Sequence, residues 1–348
     1  LNRFFRALWR FDMKAYEIQS FGFDGLKLTE RPQPEPKANE VLVKMRAWSL
    51  NFRDLMMVSG RYNPRLRLPL VPLSDGVGEI VAVGSEVTRV KVGDRVAGTF
   101  FERWVSGELT DELSKTALGG GGRDGVLAEY VALHADGVVR VPDHLSDEEA
   151  ATLPCAALTA WNALITQGKI KAGDTVLVLG TGGVSIFALQ FALLSGARVI
   201  VTSSSDEKLA RARALGAHEG INYKTHPDWE EQARALTDGR GVDHVVEVGG
   251  AGTLAKSLRA VRRNGTVSLI GVLAGAGEVN PIPILMNSLR VQGIYVGSRE
   301  MFEAMNAALS LHQMRPVIDR VFPFAEARAA MEYMASGAHF GKVCLRMD

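Results

Sequence analysis

Three glycines, Gly180, Gly182 and Gly183, stand between an apolar run at 176–179 and a nearly all-apolar stretch at 184–194. The first run has the length and branching of a strand buried on both faces, and the second reads as a buried helix. Strand, glycine turn and helix in that order aim the free N–H groups of a helix amino terminus at a pyrophosphate. Gly180, Thr181, Gly182, Gly183 and Val184 are therefore candidate dinucleotide contacts. The third glycine position of the fingerprint holds Ser185, small enough for close helix–strand packing. An ordinary strand–helix turn with no nucleotide is the competing reading.

About 20 residues further on, a fold that prefers NAD places Asp or Glu to hold the ribose hydroxyls. Here the second strand, 198–202, runs into Ser203, Ser204 and Ser205. Hydroxyls and a nearby cation accept a 2′-phosphate, where a carboxylate would repel it. Lys208 follows within a turn and Tyr223 closes a later segment, GINY, so NADP(H) is the expected cofactor. Asp206 is close, but serines ahead of DEKLARARAL suit a helix cap. For Lys208 a solvated helix-face charge is the alternative.

The elements that must hold these residues change texture along the chain. Residues 13–144 carry short alternating strands and Gly/Pro turns, an all-β pattern. From Ser146 strands alternate with helices: the helix SDEEAATLPCAALTAWNAL, the fingerprint unit, then strands at 242–249, 265–272 and 289–297. That alternation specifies a parallel doubly wound sheet. A helix at 300–311, a strand at 317–322, a helix at 325–334 and a last strand at 342–346 close the chain and return to the β-rich part. The 348 residues suit two domains. With 40 basic and 39 acidic residues and no dense basic block, the chain is not a dedicated nucleic-acid binder. No apolar run approaches the roughly 20 residues of a membrane span. Cys155 and Cys344 define no disulfide framework, and a reducing cytoplasm is the expected location. Residues 1–12 interleave Arg3, Arg6 and Arg10 with apolar residues; Met13 reads as a natural start, so they are expected to lie outside the fold.

From Met13 onward the chain resembles the zinc-independent, quinone-oxidoreductase-like branch of the medium-chain dehydrogenase/reductase superfamily. The pieces are NFRDLMMVSGRY, PLVPLSDGVGEIVAVGSEV, VGDRVAG, GVLAEYV, LPCAALTAWNAL, VLVLGTGGVS, GVDHVVEVGG, GTVSLIGV and FGKVCL, in that order. The resemblance implies an α/β protein, a Rossmann doubly wound sheet plus a GroES-like β-rich catalytic domain. The division expected is 13–144 with 300–348 for the catalytic domain and 145–299 for NADP(H) binding. At positions where zinc-dependent members hold their catalytic metal, this chain has Asn51, Ser74 and Cys155. One soft ligand without an imidazole does not make a zinc site. The stretch matching the structural-zinc lobe, 101–125, has no cysteine, and the seven histidines fall at no ligand spacing. No metal is expected, and Cys155 reads as a small buried hydrophobe.

Charge on the substrate oxygen must then be met by side chains. Asn51 can donate two N–H bonds. Tyr62 matches a tyrosine that related reductases present to substrate, and a phenol can serve as general acid. Asp54 orients that tyrosine or caps the short helix RDLMMV. A cap role for Asn51 and a wall role for Tyr62 remain alternatives. Thr159 matches a residue near the nicotinamide in relatives, unless its hydroxyl bonds back within its own helix. Val248, Gly249, Gly271, Val272, Gly297 and Ser298 at the ends of the later strands, with Lys342, complete the candidate cofactor contacts. The reading is an NADPH-dependent reductase of a quinone or α,β-unsaturated carbonyl, without metal. Alcohol/aldehyde oxidoreduction and an NADPH-binding sensor with little catalysis are the alternatives. The strand at 289–297 should lie at a sheet edge, exposing Leu289, Val291, Ile294 and Val296, and pair across a twofold axis in a homodimer.

Overall fold

The computed structural model describes residues 12–271 and 277–347. Residues 1–11, 272–276 and Asp348 lie outside them, and with them Val272 and nearly all of the expected extension. Asp12 belongs to the fold, because its residue opens the first strand. Two compact units result: Ala156–Gly297, and the chain up to Cys155 together with everything from Ser298.

The β-rich unit begins with an antiparallel pair, β1 (Asp12–Ile18) and β2 (Leu26–Pro32). Its main sheet contains β3 (Glu40–Ser49), β4 (Asp75–Val83), β5 (Arg95–Gly98), β6 (Tyr130–His134) and β7 (Val138–Arg140). The second unit holds β8 (Thr175–Leu179), β9 (Arg198–Ser203), β10 (Glu219–Asn222), β11 (Val242–Glu247), β12 (Val261–Leu269) and β13 (Arg290–Gly293). The chain then returns to the first sheet as β14 (Ile318–Pro323) and β15 (Lys342–Arg346). That sheet runs β14-β15-β3-β4-β5-β7, with β6 also on β3. The pair β15/β3 is antiparallel with Cys344 opposite Ser49, a register that carries Lys342 to the level of Asn51. Trp48, Tyr16 and Phe324 pack at the centre of this core, the Trp48 and Phe324 rings 4.7 Å apart.

The second unit is a six-stranded parallel sheet, β10-β9-β8-β11-β12-β13. The order reverses at β8, which makes its carboxyl end the switch point where open α/β sheets bind ligands. All five residues of β8 are buried, as a strand covered on both faces requires. The helix Gly183–Leu194 follows at once.

Three expectations are corrected. The segment SDEEAATLPCAALTAWNAL is not one regular helix. A turn capped by Ser146 and Glu149 (Asp147–Ala151) gives way to wide π turns at Leu153–Ala157 and Asn162–Gln167, separated by Leu158–Trp161. Pro154 has no N–H for the i−4 carbonyl and its ring crowds the preceding turn, so the ladder widens there. The division between units falls at 155/156 rather than 144/145, because Asp147–Ala151 packs on β3, β4 and β15. At the other junction it falls at 297/298 rather than 299/300, since Ser298 caps the helix Arg299–His312 of the β-rich unit. Finally, β13 is an edge strand, but Leu289, Ile294 and Val296 are buried and Val291 is half-buried. Ile294 spends its N–H on Leu269 of β12, at 2.9 Å. Exposed apolar side chains in the segments flanking this strand in sequence include Ile282, Leu285, Met286 and Tyr295.

Candidate active site

Asn51 ends the loop after β3 and caps the short helix Phe52–Val58. Asp54, on the first turn, accepts the Asn51 main-chain N–H at 2.7 Å, and its own N–H donates to the Asn51 carbonyl at 2.9 Å. Asp54 is completely buried, and burial lifts its pKa to about 6 against the opposing influences of Arg53 and the Asn51 N–H. The structure thus gives Asp54 the cap.

The register of β15 on β3 brings Lys342 over this helix start. Its ammonium is buried and donates to the Leu50 carbonyl and, at 2.6 Å, to Asn51 Oδ1. Lysine can only donate, so the Asn51 amide is fixed with its oxygen toward the ammonium and Nδ2 turned away. Nδ2 is buried on the side of Asp75, without a hydrogen bond of ordinary length among the described residues. Lys342, expected among the cofactor contacts, is thus bonded to the candidate catalytic amide.

Asp75, at the start of β4, is the hub that the sequence reading missed. Fully buried, it accepts from Ser74 Oγ at 2.6 Å and from the Cys155 main-chain N–H at 3.1 Å. Burial raises its pKa, opposed above all by the Lys342 ammonium and then by Ser74, Asn51 and Cys155. Asn51, Ser74 and Cys155 are therefore gathered around one carboxylate. A carboxylate inside the apolar run PLVPLSDGVGEI was the available signal, since buried Asp is rare unless paired.

This donor set does not fit a zinc ion. Lys342 occupies Asn51 Oδ1, Ser74 spends its hydroxyl on Asp75, and burial with Asp75 nearby pushes the Cys155 thiol pKa far above its usual value. Zinc needs a thiolate and two further ligands, whereas a fixed ammonium already supplies positive charge here. Among the described residues no three His, Cys, Asp or Glu side chains group to hold a metal.

Tyr62 lies after the same helix, partly exposed, its N–H on the Met56 carbonyl at 3.1 Å. Arg53, also missed, stacks over Phe100 at 4.4 Å, lies 5.8 Å from the Tyr62 ring and donates to the Leu118 carbonyl. It ties the Tyr62 segment to residues 117–118 of the same unit.

On the parallel sheet, Gly180 adopts φ +73°, the left-handed region where glycine is preferred. A Cβ at Gly180 or Gly182 would meet nothing within 4 Å, leaving open space over the turn for a ligand. Ser185 Oγ donates to the Leu179 carbonyl at 2.7 Å, bonding the helix to β8 where a third glycine would lie. Thr181 is buried, and Gly183 and Val184 are half-buried at the helix start. Ser203 and Tyr223 meet at the ends of β9 and β10, where the Tyr223 N–H donates to the Ser203 carbonyl at 3.0 Å. Ser203 is buried, while Ser204 and Lys208 are half-buried. Ser205 caps the next helix by accepting the Lys208 N–H, and Asp206 accepts from Asn222 at 2.8 Å.

At the end of β11 the buried Glu247 accepts from the N–H groups of Gly249 and Gly250 and from Thr253, all within 3.0 Å. Glu247 shapes the turn Val248–Gly250. A Cβ at Gly271 would come to 1.4 Å from the Val248 carbonyl oxygen, so the ends of β11 and β12 meet there as bare main chain. Thr159 is buried, and its hydroxyl makes no hydrogen bond back into its helix among the described residues. Ser298 spends its hydroxyl capping the helix Arg299–His312, and Gly297 ends the parallel-sheet unit. Val296 holds φ +56°, strained for a β-branched residue, with its carbonyl gripped by Asn162 Nδ2 at 2.8 Å.

Residues 37–143 match the alcohol dehydrogenase GroES-like domain, and residues 183–310 match the zinc-binding dehydrogenase domain. A zinc-type alcohol dehydrogenase-like protein of Schizosaccharomyces pombe is 48% identical over 94% of this chain and 96% of its own length. Quinone oxidoreductase of Sus scrofa is 30% identical, over 92% of this chain and 93% of its own. The crystal structure of a putative alcohol dehydrogenase from Sinorhizobium meliloti 1021 superposes with a TM-score of 0.90 at 43% identity, covering 97% of this chain and 99% of that one.

Proposed function

Since the chain belongs to the medium-chain dehydrogenase/reductase superfamily, we propose that it is an NADPH-dependent reductase of quinones or α,β-unsaturated carbonyls that works without metal. The observation that carries this reading is the Lys342 ammonium on Asn51 Oδ1. It puts a fixed, buried positive charge among the three residues that stand at the metal-ligand positions of zinc-dependent relatives. A fixed donor aimed at developing negative charge does the work of a Lewis acid without the ion.

The residues assign themselves roles in this reading. Gly180–Val184 and the helix behind them cradle the pyrophosphate of a nicotinamide dinucleotide, which when bound supplies the hydride. Ser203, Ser204, Lys208 and Tyr223 hold its 2′-phosphate, and Thr159, Val248, Gly249 and Gly271 border the cofactor. Lys342 fixes the Asn51 amide through Oδ1, so that Nδ2 is its donor end, shared between Asp75 and a substrate oxygen. Asp75 and Asp54 hold Lys342 and Asn51 in place, and Tyr62 delivers the proton. The same reading makes the enzyme a cytoplasmic homodimer. Its contact in this reading is the β13 edge, supported by the exposed apolar side chains Ile282, Leu285, Met286 and Tyr295, which a second copy would cover.

The test is NADPH oxidation with 9,10-phenanthrenequinone and but-2-enal, run with and without a chelator and paired with elemental analysis. Turnover unchanged by the chelator, on protein without stoichiometric zinc, is the expected result. One tightly held zinc per chain, or turnover of alcohols only, overturns it.

A further inference from the structure

A concavity on the β-rich unit carries a charge pattern that hydride transfer does not use. A cavity of about 330 Å³ is bordered by Asn63 and residues 65–67, by Ser114, Lys115 and Ala117, and by the glycines 120–122. Among the described residues three cations line it, Arg65, Arg67 and Lys115, and no acidic side chain does. The excess is local: the whole chain carries 40 basic and 39 acidic residues, yet 55–74 contains Arg61, Arg65 and Arg67 and no Asp or Glu. Glu112 is the acid nearest Lys115 in sequence; its low pKa owes most to its own N–H and Thr110, with Lys115 a minor influence.

The cavity is built rather than incidental. Leu66 is buried while Arg65 and Arg67 on either side are exposed, so the alternation anchors the segment and presents both guanidinium groups. Against Leu66 lies Gly121, at φ +98°, where a Cβ would come to 2.3 Å from Leu66 Cδ1. That wall is therefore bare main chain. The cavity also adjoins the Tyr62 surface: Asn63 lines it, and Ala117, another lining residue, precedes the Leu118 whose carbonyl Arg53 holds.

Two guanidinium forks and an ammonium around one small space outmatch a single carboxylate and suit a phosphate, whose two charges and three oxygens can use all of them. We propose that this cavity binds a phosphate group at the far end of the carbonyl substrate, so that the natural substrate is a phosphorylated carbonyl compound. The word substrate rests on the reductase reading above; the anion site does not.

Calorimetric titration of the full chain, saturated with NADPH, with inorganic tripolyphosphate tests the site directly. The expected result is a single site that is weakened at least tenfold by Arg65→Ala/Arg67→Ala and unchanged by Lys208→Ala. Absence of saturable binding, indifference to the double substitution, or loss in Lys208→Ala overturns the proposal. Turnover of the uncharged 9,10-phenanthrenequinone should stay within twofold of wild type in the double variant, which shows that the fold is intact. If quinones and enals are not turned over at all while tripolyphosphate still binds, the reductase reading falls and the anion site stands. A tenfold advantage in kcat/KM of but-2-enoyl-coenzyme A over but-2-enoyl-pantetheine, lost in the double variant, assigns the phosphate to a nucleotide tail. Equal values with tripolyphosphate binding intact assign it to a smaller phosphorylated carbonyl.

Discussion

Replacing Lys342 with Met keeps the length of the side chain and removes its charge. The ammonium is buried and serves Asn51 Oδ1 at 2.6 Å, the Leu50 carbonyl, and the electrostatic balance of the buried Asp75. Removing one partner of a buried ionic group costs about 3–5 kcal/mol, because the remaining charge is left uncompensated. That is a large part of a typical total stability of about 5–15 kcal/mol. The penalty must depend on pH. Asp75 already has a folded-state pKa raised above its unfolded value, and losing Lys342 raises it further. Between those two values the folded chain binds the extra proton, so stability falls as pH rises through the window. Urea denaturation of the cofactor-free chain should therefore show a smaller cost for Lys342→Met at pH 5 than at pH 8. Adding Asp75→Asn should recover at least about 1 kcal/mol at pH 8, since it deletes the stranded charge. A cost under about 1 kcal/mol at pH 8, or one that Asp75→Asn leaves untouched, refutes the assignment of Lys342 as the counter-charge.

Lys208→Ala should weaken NADPH about tenfold or more and leave NADH nearly unchanged, because one charge-assisted contact is worth ~1.5–3 kcal/mol; fluorescence titration with both nucleotides decides it. Tyr62→Phe should lower turnover on the order of 10²-fold while NADPH affinity is kept, and a wild-type rate would leave Tyr62 as a wall residue. Asp54, with its pKa raised from 3.8 to about 6, makes the folded chain lose about 3 kcal/mol as pH climbs through that interval. Asp54→Asn should lack this loss in denaturation series from pH 4 to pH 7, and parallel profiles for the two proteins would count against it.

Much of the architecture could be read from the chain because it is locally encoded. The burial of 176–179, the glycine turn and the apolar helix after it follow from residue type and spacing alone, and the structure repeats them nearly residue for residue. The last strand, 342–346, is also where the pattern put it. Local rules faltered at Pro154, where a pattern that looked like one helix widened into π turns. They faltered again at Ile294, whose apolar alternation looked outward while its N–H bonds to β12 and its side chain is buried.

The sequence by itself therefore determined a doubly wound sheet with a glycine turn made for a dinucleotide, a β-rich partner unit, and candidate positions at Asn51 and Tyr62. Only the tertiary structure decided what Asn51 meets. Its partner Lys342 lies 291 residues away. They meet because β15 pairs with β3 in one register; a slip of one residue would send Lys342 to the other face of the sheet. Asp75 becomes the hub of the site for the same reason: its carboxylate is satisfied by Ser74 beside it and by Cys155, 80 residues on. Periodicity and backbone angles are properties of neighbours along the chain, whereas a buried charge is defined by what folding brings against it.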